Sequence, residues 1–189
     1  MGYFKNEAET KATIDRKGFV HSGDVGVITK NGSLSITGRI KELIITAGGE
    51  NVAPVLIENQ VNTALPIFSN VVVIGDQRKY LTALVCLKMK DKDNIVEEVV
   101  EFIKERGSEA QTIEDALKCP KLKAIIEDGI KIANEKAISN AQRIIKFTIL
   151  PMEFSVDQGT LTPTLKLKRK IINEMFKKEI ENMYIDAKL

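Results

Sequence analysis

Three short segments of this 189-residue sequence combine charged side chains with glycine or proline and could take part in chemistry. The first, residues 21–24 (His-Ser-Gly-Asp), places a glycine-flanked carboxylate directly before an alternating apolar stretch. The second, residues 38–51, carries Arg39 and Lys41 ahead of a glycine pair, and cations spaced in this way can reach a polyanion. The third, residues 161–170, has four cations among its last five residues.

Each of these segments also has a plainer interpretation. Glycine and aspartate dominate turns for backbone reasons alone, so a turn accounts for residues 21–24. A solvated edge at a domain boundary accounts for Arg39 and Lys41, and a solvated face accounts for the cations at 166–170. The last cluster also suggests nucleic acid, but no aromatic residue lies beside it for base stacking. The order and spacing of the segments therefore carry the functional interpretation.

The first of the elements that would position these segments is a β-hairpin. Residues 25–29 and 33–37 are predicted strands on either side of Asn31-Gly32, and Leu34 and Ile36 alternate with polar neighbours. The Asn31-Gly32 dipeptide is a strong signal for a tight hairpin turn. The pattern predicts that the first forty residues form a meander of short strands. Such strands bury little apolar surface by themselves.

The remaining sequence alternates between strand and helix patterns. Pro54 is predicted to open a helix with one apolar face, and residues 71–75 form an apolar β-branched run typical of strands buried on both faces. Further elements are predicted as strands at 43–46, 81–89 and 147–150, helices at 94–106, from Thr112 and at 122–137, and a last helix with Ile171, Ile172, Met175, Phe176, Ile180 and Met183 on one face. The helix from Thr112 would begin with a capping box, Thr112-Ile113-Glu114-Asp115, in which Asp replaces the preferred Glu. The expected fold class is α+β.

Composition excludes several classes of protein. Hydrophobic residues at 43% and charged residues at 29% are typical of folded domains. No apolar run approaches the roughly 20 residues that span a bilayer. A net charge of +2 does not indicate nucleic-acid binding. Two distant cysteines and one histidine indicate neither a zinc site nor a disulfide framework, so no metal ligands are predicted and a reducing compartment is favoured.

Four ordered blocks of this sequence resemble the carboxy-terminal signature of the AMP-forming acyl-CoA synthetases. They are His-Ser-Gly-Asp at 21–24, Gly-Arg-Ile-Lys-Glu-Leu-Ile-Ile-Thr at 38–46, Gly-Gly-Glu-Asn-Val-Ala-Pro at 48–54, and Leu-Thr-Pro-Thr-Leu-Lys-Leu-Lys-Arg at 161–169. The Gly-Gly-Glu-Asn loop and the helical stretch near 92–145 are similar to the long-chain, bubblegum-like branch of that family. The resemblance extends along essentially the whole chain.

The resemblance implies a division of the chain into parts of two domains. Residues 1–37 would be the tail of a large amino-terminal domain, ending in its β-meander, and residues 38–42 would be a hinge. Residues 43–189 would be the small, mobile carboxy-terminal α+β domain of the adenylate-forming superfamily, with a helical insertion near 92–145. The family's phosphate loop, acyl pocket and adenine-binding motif would lie upstream of Met1, so the large domain is an expected partner.

The resemblance also implies roles for particular residues. Lys166 would be the catalytic lysine that meets negative charge during adenylation, and Lys41 would be the hinge residue. Nucleotide binding would fall to Asp24, Ile36 and Arg39. In the thioester-forming pose, the loop of Gly48, Gly49, Glu50 and Asn51 would face the pantetheine of coenzyme A.

The implied reaction converts ATP, a fatty acid and coenzyme A into acyl-CoA, AMP and pyrophosphate through an acyl-AMP. Mg²⁺ is implied because the family uses it with ATP, without a ligand that can be named in this chain. The alternative function is a standalone, non-catalytic binding or regulatory module of the same fold. A cytoplasmic location is expected, and the terminal Ala187-Lys188-Leu189, a near match to the Ser-Lys-Leu signal, makes a peroxisomal location the alternative.

Overall fold

A computed structural model describes residues 2–185, so the predicted signal at Ala187-Lys188-Leu189 lies outside the described residues. The chain divides into two compact units on either side of the bond between Leu43 and Ile44. Between residues 2 and 185, no helix is both long enough and apolar enough to cross a membrane.

The described part of the first unit contains one α-helix, the predicted hairpin and a short 3₁₀ turn at Ile40–Glu42. Helix α1 spans Glu7–Thr13, strand β1 spans Asp24–Ile28, and strand β2 spans Leu34–Arg39. The two strands pair in antiparallel register around a turn in which Gly32 has a φ of +79°. The prediction of an all-strand meander was wrong at α1. This helix buries none of its residues, so it shows no apolar periodicity, and its sequence signal is the Asn6 side chain that caps it.

The second unit contains the other five strands and six α-helices of the described chain. Its elements are β3 (Ile44–Ile45), β4 (Asn51–Val52), α2 (Pro54–Ala64), β5 (Phe68–Ile74), β6 (Leu81–Leu87), α3 (Glu97–Lys104), α4 (Ile113–Lys118), α5 (Pro120–Asn134), β7 (Ile144–Leu150), α6 (Arg169–Met175) and α7 (Lys177–Tyr184). The predicted capping box is present at α4, where the Thr112 and Asp115 side chains each bond the other's backbone. Proline opens both α2 and α5.

A three-stranded sheet lies at the centre of this unit, in the order β5-β6-β7. β5 and β6 are antiparallel, whereas β6 and β7 are parallel and are connected through α3, α4 and α5. All seven residues of β6 are buried. On one face, Val71 and Val73 pack with apolar residues of α2 to α5, and on the other Val72 and Ile74 pack with α6 and α7. The prediction of a strand buried on both faces is confirmed.

The segment 169–184 differs from the single helix predicted towards the end of the chain. It forms two helices, because Phe176 leaves helical geometry with φ −106° and ψ 27° while its ring stays buried beside Phe154. The predicted apolar face was also wrong at two positions. Ile171 and Met175 are 37% and 46% exposed, whereas Tyr184, which was not predicted, is buried.

We predict that Gly129→Ala destabilises the second unit. A Cβ atom on Gly129 in α5 would lie 2.2 Å from Cγ of the buried Leu65. Overpacking costs about 1–3 kcal/mol, which exceeds the roughly 0.5–1 kcal/mol that alanine contributes within a helix. Urea denaturation should therefore show a lower free energy of unfolding. The exposed α5 variant Lys123→Ala is the control, and equal stability of Gly129→Ala and the unmodified chain would contradict the packing argument.

Candidate functional site

The hairpin brings Asp24 and Arg39 into contact. Asp24 begins β1, Arg39 ends β2, and the strand register pairs them directly. Arg39 Nε donates to Asp24 Oδ1 over 2.8 Å, with the Arg39 and Asp24 side chains 55% and 27% exposed. A carboxylate accepts hydrogen bonds from hydroxyl groups and a guanidinium binds phosphate oxygens. A ligand that carries both hydroxyl groups and a phosphate would therefore match Asp24 and Arg39.

A β-bulge places Ile36 on the same face of the hairpin. Asp24 and Gly26 share one face of β1, and their partners on β2 are Arg39 and Ile36. Ile36 and Arg39 are three residues apart, so their side chains would point to opposite faces of a regular strand. The pairing of β1 with β2 shifts by one residue between Val25 and Gly26, and this bulge puts both side chains on the same face. A Cβ on Gly26 would lie 2.9 Å from the Ser35 carbonyl oxygen, so this face needs glycine there.

Lys41 lies in a single 3₁₀ turn, Ile40–Glu42, immediately after β2. Its side chain is exposed, and the turn is attached to the hairpin by the Ile40 N–H, which donates to the Gly23 carbonyl over 2.8 Å. The turn ends at Leu43, where the first compact unit ends. A short turn of this kind fits a hinge, although the hinge role itself stays a prediction.

The loop of Gly48, Gly49, Glu50 and Asn51 is closed by hydrogen bonds to the buried Thr46. The Gly49 N–H donates to the Thr46 carbonyl over 2.8 Å, the Glu50 N–H donates to Thr46 Oγ1 over 3.2 Å, and the Thr46 N–H donates to the Glu50 carbonyl over 3.1 Å. Gly49 has a φ of +80°, a conformation that glycine adopts without strain. The loop is therefore held by its own backbone in a fixed shape.

The helical stretch predicted near 92–145 contacts this loop. The Ser139 hydroxyl, which follows α5, donates to Glu50 Oε2 over 2.7 Å, although 89 residues separate the two side chains. The loop thus has one support in its own backbone and a second in the segment between α5 and β7.

Lys166 lies in a second closed loop, the Lys166 loop of residues 162–168, between the buried Leu161 and the start of α6 at Arg169. A β-bridge joins Leu161 to Leu167, the Thr162 N–H donates to the Lys166 carbonyl over 2.8 Å, and the Lys166 N–H donates to Thr162 Oγ1 over 3.0 Å. Leu165 has a φ of +59°, which turns the chain tightly before the lysine. The backbone of Lys166 is thus fixed while its side chain is exposed.

The predicted residues are distributed between the two units, and the structure brings together those of the hairpin. Asp24, Ile36 and Arg39 share a face in the first unit. The loop 48–51 and Lys166 lie in the second unit.

Arg169, which follows the Lys166 loop, forms an ion pair with Glu58 that the sequence analysis did not predict. Arg169 belongs to the cation cluster that could have been a solvated face, but its side chain is 19% exposed and binds Glu58, which is 7% exposed. A signal for this pair existed in α2, where Glu58 is the one charged residue in an otherwise neutral helix.

The two cysteines lie in contrasting environments. Burial raises the pKa of the Cys86 thiol to about 12. Partial burial acts in the same direction on the pKa of Cys119, but the hydrogen bond shared with the Ser108 hydroxyl, the N–H groups of Leu122 and Lys121 and the Lys121 charge together outweigh it, and the net pKa lies below its ordinary value. A thiolate is the reactive form, so the two thiols differ in reactivity.

We predict that iodoacetamide modifies Cys119 of the folded chain much faster than Cys86 at neutral pH. The lowered pKa and partial exposure favour Cys119, whereas Cys86 is shielded within β6. Mass spectrometry of tryptic peptides would give both rates, and denaturation should abolish the difference. Fast modification of Cys86 in a folded Cys119→Ser variant would contradict the predicted burial.

Two solved structures with folds similar to that of this chain are adenylation domains. The adenylation domain of a carboxylate reductase from Mycobacterium chelonae aligns over 97% of this chain and 26% of its own, with a TM-score of 0.71 and 25% identity. The corresponding domain from Segniliparus rugosus, solved with AMP and a carboxylic acid, covers 98% of this chain and 26% of its own, with a TM-score of 0.71 and 23% identity. The fold is that of the adenylate-forming superfamily.

Sequence comparison identifies which members of the adenylate-forming superfamily this chain is similar to. The family model of the AMP-binding enzyme C-terminal domain matches residues 41–118. The long-chain-fatty-acid CoA ligase ACSBG2 of Xenopus laevis is 43% identical over 99% of this chain and 26% of its own length, and the ligase heimdall of Drosophila melanogaster is 44% identical over 97% and 31%. The resemblance predicted from the sequence blocks is therefore confirmed: essentially the whole chain is similar to part of the long-chain-fatty-acid CoA ligases, and it spans about a quarter to a third of the length of these relatives.

Proposed function

We propose that this chain is the carboxy-terminal portion of a long-chain fatty acid CoA ligase and supplies its catalytic lysine and hinge. The observation that carries the proposal is the 43% identity to a named ligase along 99% of the chain. In the proposed reaction a fatty acid carboxylate attacks the α-phosphate of ATP, which forms acyl-AMP and releases pyrophosphate. The thiol of coenzyme A then attacks the acyl carbon, which forms acyl-CoA and releases AMP.

Asp24, Arg39 and Ile36 would bind the nucleotide in this proposal. The Asp24 carboxylate would accept hydrogen bonds from the ribose hydroxyls, and the Arg39 guanidinium would bind the ribose or phosphate. Their observed contact supports a shared site, because one nucleotide carries hydroxyl and phosphate groups within reach of both. Ile36, on the same face, would supply an apolar wall for the nucleotide pocket.

Lys166 would act in the adenylation step. Negative charge develops between the attacking carboxylate and the α-phosphate, and a fixed ammonium at that point lowers the barrier electrostatically. The closed loop around Lys166 supports this role because it holds the backbone and leaves the side chain exposed.

We predict that Lys166→Ala reduces adenylation by on the order of a hundredfold or more and leaves nucleotide binding largely intact. The variant can be tested in a chimera in which this chain replaces the matched carboxy-terminal part of the Xenopus laevis ligase. Pyrophosphate release without coenzyme A reports adenylation, and ATP titration reports binding. Lys168→Ala is the matched control, because it removes a neighbouring cationic side chain that has no assigned role and keeps the Lys168 backbone N–H. Normal adenylation by Lys166→Ala would refute the assignment.

Lys41 would be the position about which the second unit rotates between the two half-reactions. A hinge works because a few backbone dihedrals absorb the rotation, and proline fixes φ near −65°. The exposed 3₁₀ turn at Ile40–Glu42 supports this proposal.

We predict that Lys41→Pro slows thioester formation more than adenylation. The same chimera would be given ATP and a long-chain fatty acid for the first half-reaction, and preformed acyl-AMP with coenzyme A for the second. Lys41→Ala is the control, because it removes the side chain and keeps φ free. Equal losses in both half-reactions, or the same effect from alanine as from proline, would argue against a hinge.

The loop Gly48–Asn51 would face the pantetheine arm of coenzyme A during thioester formation. Its two glycines would permit close approach to the backbone. Its bonds to Thr46 and Ser139 support the proposal, because a preformed loop loses little conformational freedom on binding.

Mg²⁺ would accompany ATP, as in the family, but no step is assigned to it in this chain. Within residues 2–185, no cluster of three or more histidine, cysteine, aspartate or glutamate side chains could hold a metal ion.

A further inference from the structure

A buried ion pair joins α6 to α2 directly below the Lys166 loop. Arg169 Nη1 donates to Glu58 Oε1 and Arg169 Nη2 donates to Glu58 Oε2, both over 2.7 Å. The two side chains are 19% and 7% exposed, although 111 residues separate them in the sequence. Two parallel bonds between planar groups fix orientation as well as distance.

The same carboxylate also binds the central sheet. Glu58 Oε1 accepts a hydrogen bond from the Val73 N–H of β5 over 2.8 Å. The Glu58 carboxylate thus connects three elements, namely α2, β5 and α6. Arg169, the first residue of α6, is attached through it to the buried sheet.

The Lys166 loop is connected to this ion pair, because Arg169 follows Lys166 by only three residues. The Lys168 N–H donates to the Thr160 carbonyl over 2.9 Å, and Lys168 is the cap residue directly before Arg169. Thr160 is fully buried, and its hydroxyl donates to the Ser155 carbonyl over 3.0 Å. The carboxyl end of the loop is therefore held by Arg169 and the amino end by Thr160.

The loop Gly48–Asn51 has a separate support. Its bonds run to Thr46 and Ser139, and none of the bonds described for it involves Arg169 or Glu58. Loosening the ion pair should thus disturb the Lys166 loop and leave the loop 48–51 in place.

The geometry points to Arg169 and Glu58 as a positioning pair that sets the placement of Lys166 for the adenylation half-reaction. This inference rests on the proposed function of Lys166. A misplacement of about 1 Å of a catalytic group can cost on the order of a hundredfold in rate, so the fixed base of the loop acts on catalysis through Lys166. Lysine at position 169 would keep the charge and lose the planar two-point contact.

The first test uses the 189-residue chain and needs no activity. In Arg169→Lys, hydrogen exchange of the amides at Thr162, Leu165 and Lys166 should be faster, while exchange of the Gly49 and Glu50 amides should be unchanged. Arg78→Lys is the matched control, because Arg78 also pairs with a glutamate, Glu181, within the same unit. Unchanged exchange in the Lys166 loop of Arg169→Lys, or the same increase in Arg78→Lys, would overturn the inference.

The second test separates the half-reactions in the chimera with the Xenopus laevis ligase. Arg169→Lys should lower adenylation by about 10- to 100-fold and leave thioester formation from supplied acyl-AMP essentially unchanged. Glu58→Gln, which keeps the shape of the side chain and removes its charge, should show the same selectivity. Equal losses in both half-reactions would mean that the pair contributes to folding alone and would overturn the inference.

A double variant shows whether Arg169 acts through Lys166. In the Lys166→Ala background, Arg169→Lys should cause no further loss of the residual adenylation, because the group that it positions is gone. A further loss as large as that in the unmodified chimera would overturn the inference. Full adenylation by Lys166→Ala would instead refute the proposed function of Lys166. In that case the hydrogen-exchange test would still show whether the ion pair of Arg169 and Glu58 fixes the Lys166 loop.

Discussion

The second unit is organised by the need to cover both faces of a three-stranded sheet. A strand such as β6, whose seven residues are all buried, is stable only if separate layers of apolar side chains pack on each side of it. Helices α2 to α5 provide one layer, and α6 and α7, from the end of the chain, provide the other. The loops 48–51 and 162–168 each lead into one of these covering helices, at Pro54 and Arg169.

The ion pair of Glu58 and Arg169 places two charges among the apolar side chains that cover the sheet. Removing Glu58 and Arg169 from water carries a desolvation penalty, and replacing such pairs with apolar residues is often neutral or stabilising. The pair has what a buried ion pair needs to be tolerated, because it is bidentate and one carboxylate oxygen also accepts the Val73 N–H. Its orientation-dependent contact gives the start of α6 a defined position, which apolar packing alone would leave less constrained.

The first unit depends on a different constraint. Its hairpin is small and leaves Ile28, Leu34 and Ile36 more than half exposed, so its shape comes from strand pairing and turn geometry more than from a core. Within that frame the bulge between Val25 and Gly26 decides which side chains share a face with Asp24. The contact of Asp24 with Arg39 follows directly from the register.

Local patterns in the sequence determined most of the secondary structure and the resemblance to the acyl-CoA synthetases. The Asn31-Gly32 turn, Pro54, the capping box at Thr112 and the apolar run at 71–75 act through neighbouring residues, and each appears in the structure as expected. Helix α1 was missed because nothing in it is buried, and the break at Phe176 was missed because packing of its ring overrides the helical period. The tertiary structure decided which residues share a face with Asp24 and that Arg169 is the partner of Glu58. One depends on a shift in strand register and the other on contact across 111 residues, and neither is encoded in any local spacing.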